Sequence, residues 1–196
     1  MFSTCLTIKK KIYTKGQFNN VKKKRDKKIY IFYNWPRCEE NYCANGRYHR
    51  IDGPAIIRRH SFTGNVIEEC WYNHGIKIRL NDKPSQIHYF ENGLKKIECW
   101  YEGIWLHRTN NPSTIHYYDN GNILRQEWHV YGRYHNSDHP SIINYHKNGD
   151  RSGERWYYCG KLHRLRGPAV LRYYKNGRIN RDYYDNGRLV HHNNNY

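Results

Sequence analysis

The chain is short of what builds a thick hydrophobic core. It has a single Met, and hydrophobic residues fill only 37% of its 196 positions. So few aliphatic groups exclude a ball with a deep interior and favour a thin structure with much exposed surface. No apolar run approaches the ~20 residues that a membrane-crossing helix requires. No CxxC pair occurs among the six cysteines, Cys5, Cys38, Cys43, Cys70, Cys99 and Cys159. No secretory leader is legible either, because residues 1–12 turn basic after a few apolar positions. These absences point to free thiols in a reducing, intracellular setting without transmembrane insertion.

Acidic residues are scarce as well, 17 against 34 Lys and Arg, for a formal charge of +17. Residues 1–41 carry a net +8 and the other 155 a net +9. The densest run is Lys22, Lys23, Lys24, Arg25, Lys27 and Lys28. Such a field favours polyanions: nucleic acid, an acidic membrane surface or an acidic protein. A solvated loop that keeps the protein soluble is the bland alternative. What the chain has in abundance is aromatic residues, at 16%, including 20 Tyr. Disordered chains are poor in these, so the low hydrophobicity belongs to a folded protein.

The aromatics fall on a period. Tyr42, Trp71, Trp100, Trp128, Trp156 and Tyr183 are spaced 29, 29, 28, 28 and 27 residues apart. A turn glycine follows each (Gly46, Gly75, Gly103, Gly132, Gly160, Gly187). Seven residues after the first five anchors stands His49, Ile78, His107, His135 or His163, usually followed by Arg. Then come Pro54, Pro84, Pro112, Pro140 or Pro168 and a second turn glycine, Gly64, Gly93, Gly121, Gly149 or Gly177. Asn-Gly occurs six times, and two residues tolerant of positive φ predict type I′ hairpin turns. Proline, with no N–H to donate, suits the start of a strand.

Odd positions after four of the five prolines read small, aliphatic, aromatic, as in Ser85, Ile87, Tyr89; Ser113, Ile115, Tyr117; and Ser141, Ile143, Tyr145, while Pro54 is followed by Ala55, Ile57 and Arg59. Even positions vary (Arg58, His88, His116, Asn144, Arg172). A period of two with one constant face predicts strands covered on one side. The fold class expected is all-β, an elongated single-layer antiparallel sheet built as an open array of tandem hairpin repeats. Each unit supplies two main strands and a short third, touching mainly its neighbours. The array runs over residues 42–190, five units with a partial sixth. Residues 1–41 read as a degenerate capping repeat with the basic run as an inserted loop, and 191–196 as a polar tail that discourages sheet growth.

The unit W-Y-x-x-G-x-x-H-R-x-x-G-P-A resembles MORN-type repeats (membrane occupation and recognition nexus). It is closest to the longer variant of large DNA viruses and phages, W-Y-x-N-G-x-x-H-R-x-D-G-P-A. Trp156, Tyr157, Gly160, His163, Arg164, Gly167, Pro168 and Ala169 make the best copy, and the stretch from Tyr42 to Ala55 the next. Units two and three depart from it at Leu80-Asn81-Asp82-Lys83 and Thr109-Asn110-Asn111. The resemblance implies a scaffold of hairpins without catalysis of its own.

Once-per-unit residues read as framework: Trp71, Trp100, Trp128, Trp156, His49, His107, His135 and His163. Equivalent histidines lie about 10 Å or more apart, too far to share a zinc bound at ~2 Å, so a hydrogen bond closing each hairpin is expected instead. Glu69, Glu98 and Glu154 could pair with His or Arg as acid and base, but an active site is a single constellation. Cys38, Cys43, His49 and His60 match no strong zinc spacing. Cys70 and Cys99 precede anchors and read as ladder positions. The sequence thus predicts no cofactor, no metal and no enzyme. It predicts a non-catalytic scaffold for protein partners, with a nucleic-acid-binding or packaging protein acting through charge as the alternative. Partner identity and self-association stay open.

Overall fold

A computed structural model of the chain describes residues 19–20, 27–34 and 37–194, with side chains over 39–193. These residues form one 15-stranded antiparallel sheet in which nearly every strand pairs with its sequence neighbours, and no helix. Fourteen strands lie in a single file that does not close, about 60 Å long at ~4.8 Å per strand.

Each unit contributes a hairpin to this sheet. The five are Ile56–His60 with Val66–Cys70, Gln86–Tyr89 with Lys95–Cys99, Thr114–Tyr117 with Ile123–Glu127, Ile142–Tyr145 with Arg151–Arg155, and Val170–Tyr173 with Ile179–Asp185. After its anchor the chain makes a second, smaller hairpin, such as Tyr72–Asn73 with Ile76–Lys77 or Tyr157–Tyr158 with Lys161–Leu162. These mini-hairpins form separate two-stranded ladders in units two to five, so the expected short third strand is a pair of strands outside the main sheet.

The prolines fall where expected, just before the first strand of each unit. The residue after each is small because it is fully enclosed: Ala55, Ser85, Ser113, Ser141 and Ala169 are at most 1% exposed. On this tryptophan face a line runs across the strands by register: Glu40, Ile57, Glu69, Ile87, Glu98, Ile115, Gln126, Ile143, Glu154, Leu171. Carboxylates, with an amide at Gln126, alternate with aliphatic side chains, and tyrosines reach back to this row in the preceding unit. Tyr89 and Tyr117 donate to Glu69 and Glu98 at 2.6 Å, and Tyr145 to Gln126 at 2.7 Å.

Two expectations need correction. The opposite face is not open: Ile56, Cys70, Cys99, Thr114, Ile142 and Val170 on it are all buried. The inner sides of the mini-hairpins lie over it, with Lys77 donating to Gln86 at 2.9 Å and Tyr134 to Glu127 at 3.4 Å. The turns also differ. Only Asn45-Gly46 and Asn186-Gly187 carry positive φ at both residues. At Asn92, Asn120, Asn148 and Asn176 only the following glycine does. There the asparagine side chain accepts the N–H two residues on, at 3.0–3.2 Å, in three of four cases beside a register shift. That arrangement is a type I turn closed by a left-handed glycine, for which Asn supplies an oxygen rather than a conformation.

The ends are sheet strands. Lys27–Asn34 pairs with Arg37–Ala44 along its whole length, which places Lys27 and Lys28 on a strand rather than in an inserted loop. Lys22, Lys23, Lys24 and Arg25 lie outside the described residues. Residues 191–194, expected as a tail, extend the last strand, Arg188–Asn194, against Ile179–Asp185. Among the described residues no helix is long and apolar enough to cross a membrane.

Candidate interaction surface

The repeated side chains are consumed in joining units. His49, His107, His135 and His163 each accept, through Nδ1, the backbone N–H of the next unit's mini-hairpin turn: His74 at 3.3 Å, Tyr131 at 3.4 Å, Cys159 at 3.2 Å and Asn186 at 3.3 Å. The expected hairpin-closing role therefore belongs to the histidine backbone, whose N–H returns to its own anchor carbonyl at 3.0–3.2 Å. The donating residues all sit at φ between 46° and 49°, unfavourable for Tyr or Cys by about 1–2 kcal/mol. A directed acceptor helps hold them there, and the His107 ring stacks on Tyr131 with centroids 4.6 Å apart.

The arginine after the histidine lies over its own anchor ring. Arg50, Arg79, Arg108 and Arg164 stand 3.8–4.1 Å from Tyr42, Trp71, Trp100 and Trp156, and each donates to the proline carbonyl of its unit at 3.0–3.4 Å. Unit four has Asn136 at this position. His139 takes over both contacts, edge-on to Trp128 at 4.9 Å and with Nδ1 3.3 Å from the Pro140 carbonyl.

Titratable clusters on the mini-hairpin face are enclosed in the same way. Burial pushes Glu68 up, but Arg58, bonded to it and to Glu39, overcomes that and holds it below the usual carboxylate range. Ser113, His129 and Glu127 form a sequence that superficially suits nucleophilic catalysis, with Ser113 Oγ 2.8 Å from His129 Nδ1 and His129 Nε2 3.8 Å from Glu127. Ser113 is completely buried and packed against the Glu127 carbonyl and the His129 N–H, so no substrate carbonyl can reach it. Glu69 and Glu98, weighed above as acid–base partners, accept from tyrosines instead. Burial drives the Cys70 thiol up to about 12 and the Cys99 thiol to about 11, consistent with inert ladder positions. Among the described residues no group of three or more His, Cys, Asp or Glu side chains is arranged to hold a metal; the Cys38 side chain lies outside them.

What the framework leaves over is the outer side of the mini-hairpins. Cross-strand pairing puts Tyr72, Tyr101, His129 and Tyr157 inward. The alternate pairs Asn73/Ile76, Glu102/Trp105, Val130/Arg133 and Tyr158/Lys161 are all exposed. Ile76, Trp105, Val130 and Tyr158 make one apolar side chain per unit, with basic residues interspersed. Sequence periodicity does not display this row, because each mini-hairpin strand spans two residues, too short for alternation.

No family model and no curated protein sequence matches the chain.

Proposed function

We propose that the chain is a non-catalytic scaffold, a β-repeat array of the MORN-type variant that presents the outer mini-hairpin row to a protein partner. The setting that suits it is intracellular, as a structural or host-interaction component of a large DNA virus. The observation that carries this reading is the division of labour within each mini-hairpin. The inner side is tied to the sheet, while the outer side changes identity from unit to unit and keeps an apolar residue in water. A partner that covers Ile76, Trp105, Val130 and Tyr158 gains the free energy of removing them from solvent. Affinity purification from the native source tests it. The triple variant with Ile76→Ser, Val130→Ser and Tyr158→Ser is expected to fold like the parent and lose its captured protein; retention of that protein overturns the reading.

The net charge of +17 supports a second reading, binding of nucleic acid through the surface field. Affinity for arbitrary DNA and RNA then falls steeply with added salt and weakens when Lys22, Lys23, Lys24, Arg25, Lys27 and Lys28 are neutralised. Absence of binding at about 50 mM salt removes this reading.

A further inference from the structure

One strand breaks the unit pattern from within. Arg151–Arg155 contains Gly153, where the equivalent positions of other units hold Glu68, Ile97, Arg125 and Asn180. A glycine inside a strand leaves room for a ligand or a foreign backbone to approach. Two residues on, where the other units carry Cys70, Cys99, Glu127 and Asp182, stands Arg155. Both exceptions fall on the mini-hairpin face, at the junction of units four and five.

They produce a concavity of about 570 Å³ over that face, lined among others by Tyr118, Arg125, Asn144, Arg155, Arg172 and Tyr174. Its floor is Gly153, buried and paired with Asn144 and Arg172. In unit two the corresponding space is taken by Ile97, between His88 and His116.

The charges around it are unequal. Arg172 is spoken for by Asp182 at 2.7 Å. Arg125 lies 2.6 Å from Glu127, close but not aligned as a hydrogen bond. Glu154, the acid between Gly153 and Arg155, belongs to the other face and bonds Arg151 at 2.8 Å. Arg155 is half-buried and has no ion pair or side-chain hydrogen bond among the described residues. Its nearest neighbours in the same row are Ile142 and Val170. Glu127 and Asp182 come two strands away on either side, about 10 Å off.

We infer that this concavity is a recognition site for an acidic peptide segment, whose carboxylate pairs with Arg155 while its backbone passes over Gly153 between the Tyr118 and Tyr174 rings. The inference rests on the protein-partner reading above and names the chemistry of the partner. A guanidinium fork matches a carboxylate in two parallel hydrogen bonds, and half-burial shields that pair from water. A nucleic-acid backbone is a poorer fit. It requires a track of unpaired cations, one per phosphate, and here two of the three arginines already face carboxylates.

The test uses the full chain and amide-resolved NMR titration with three probes: N-acetylglutamate amide, inorganic phosphate, and a twelve-residue oligothymidylate. The carboxylate probe is expected to produce saturable shifts centred on Ser152, Gly153 and Arg155. Arg155→Gln should weaken it by about tenfold, as loss of a charge-assisted pair does. Gly153→Ala is expected to weaken it too, though its added Cβ would lie 2.9 Å from the Leu171 carbonyl. Arg155→Gln therefore decides the matter if that variant folds poorly. Shifts that survive Arg155→Gln, or that spread over the whole surface, overturn the site; tighter binding of phosphate or oligothymidylate than of the carboxylate overturns the peptide assignment. The captured partner distinguishes the two levels. If it remains bound to Arg155→Gln, this site fails while the scaffold stands; if the parent captures no protein, the scaffold reading fails.

Discussion

The junction between units two and three is built differently from the junction between three and four. At the latter, His107 receives the Tyr131 N–H, the Gly132 N–H reaches the Leu106 carbonyl at 2.9 Å, and Trp105 lies directly on Gly132. At the former the histidine is Ile78 and the mini-hairpin turn is Gly103-Ile104, with positive φ at the glycine alone. No backbone bond ties that turn to the preceding one. Unit two instead carries one more residue before its proline, and the extra length lets Asp82 cross over. It holds Arg108 through two oxygens at 2.7 and 2.8 Å, and its carbonyl receives the Trp100 indole at 2.9 Å. The Trp128 and Trp156 indole nitrogens are buried without a partner. A lost backbone ladder has been replaced by a solvent-facing ion pair. The pattern of a repeat can therefore fail at one junction without the array failing, provided another part of the same unit crosses the gap.

The largest expected effect on this contrast comes from acid. The junctions on either side hold enclosed carboxylates, Glu68 and Glu127. Burial raises both, and Arg58, Arg125 and His116 more than reverse it, so both are depressed in the folded protein. A depressed carboxylate contributes stability that is complete above its unfolded value, about 4.3, and disappears as pH falls through its lower folded value. Urea midpoints should decline gently from pH 7 to about 5, because burial depresses His88 and His129, and fall steeply below about 4, and Glu127→Gln should flatten that steep fall. An unchanged slope in the variant would assign the acid sensitivity elsewhere.

Glycine substitutions come next. Gly132→Ala meets both a positive φ of 76° and the Trp105 ring 2.7 Å away, and should cost about 2 kcal/mol or more. Gly103→Ala has the same backbone problem in open space and should cost about 1 kcal/mol. Equal losses would show that the two junctions are alike. His107→Leu should cost about 1 kcal/mol by orphaning the Tyr131 N–H. The smallest effect is Asp82→Asn, about 0.5 kcal/mol for an exposed pair, and erased in high salt. Thermal unfolding in 0.05 and 1 M salt separates it from the histidine effect, which salt leaves intact.

Much of the architecture is legible in the sequence because a small number of residues have one job each. Pro84 and Pro112 mark strand starts, Ser85 and Ser113 mark enclosed positions, and Gly93 and Gly121 mark turns. The period alone reassigns the tryptophans and histidines from chemistry to framework. Partner identity is another matter. His49 reads as a local hydrogen bond, yet its acceptor works 25 residues on, and only three-dimensional stacking reveals that. His139 replaces an arginine three positions earlier, which an alignment of units by column cannot see. The Asn-Gly pairs encode two turn types with one dipeptide, since either residue can supply an oxygen or a conformation. Gly153 is an isolated glycine that the repeat pattern does not single out, and the unpaired Arg155 on the same face is legible only in the structure.

The hydrogen bonds of an antiparallel sheet run perpendicular to its strands, and in a single file of hairpins that direction is the long axis of the molecule. Consecutive strands are joined by a connection at one edge, so a pull on the two chain ends enters each junction at that edge and breaks its bonds in turn. Each of the four hairpin-to-hairpin junctions presents three paired residues to such a load. What distinguishes them is the second line of bonds along the mini-hairpins, continuous from unit three onward and interrupted once before it. Under force the array should open first at that interruption, where the Asp82–Arg108 pair is the remaining non-covalent link, leaving a two-unit piece and a longer one joined by the covalent chain between them.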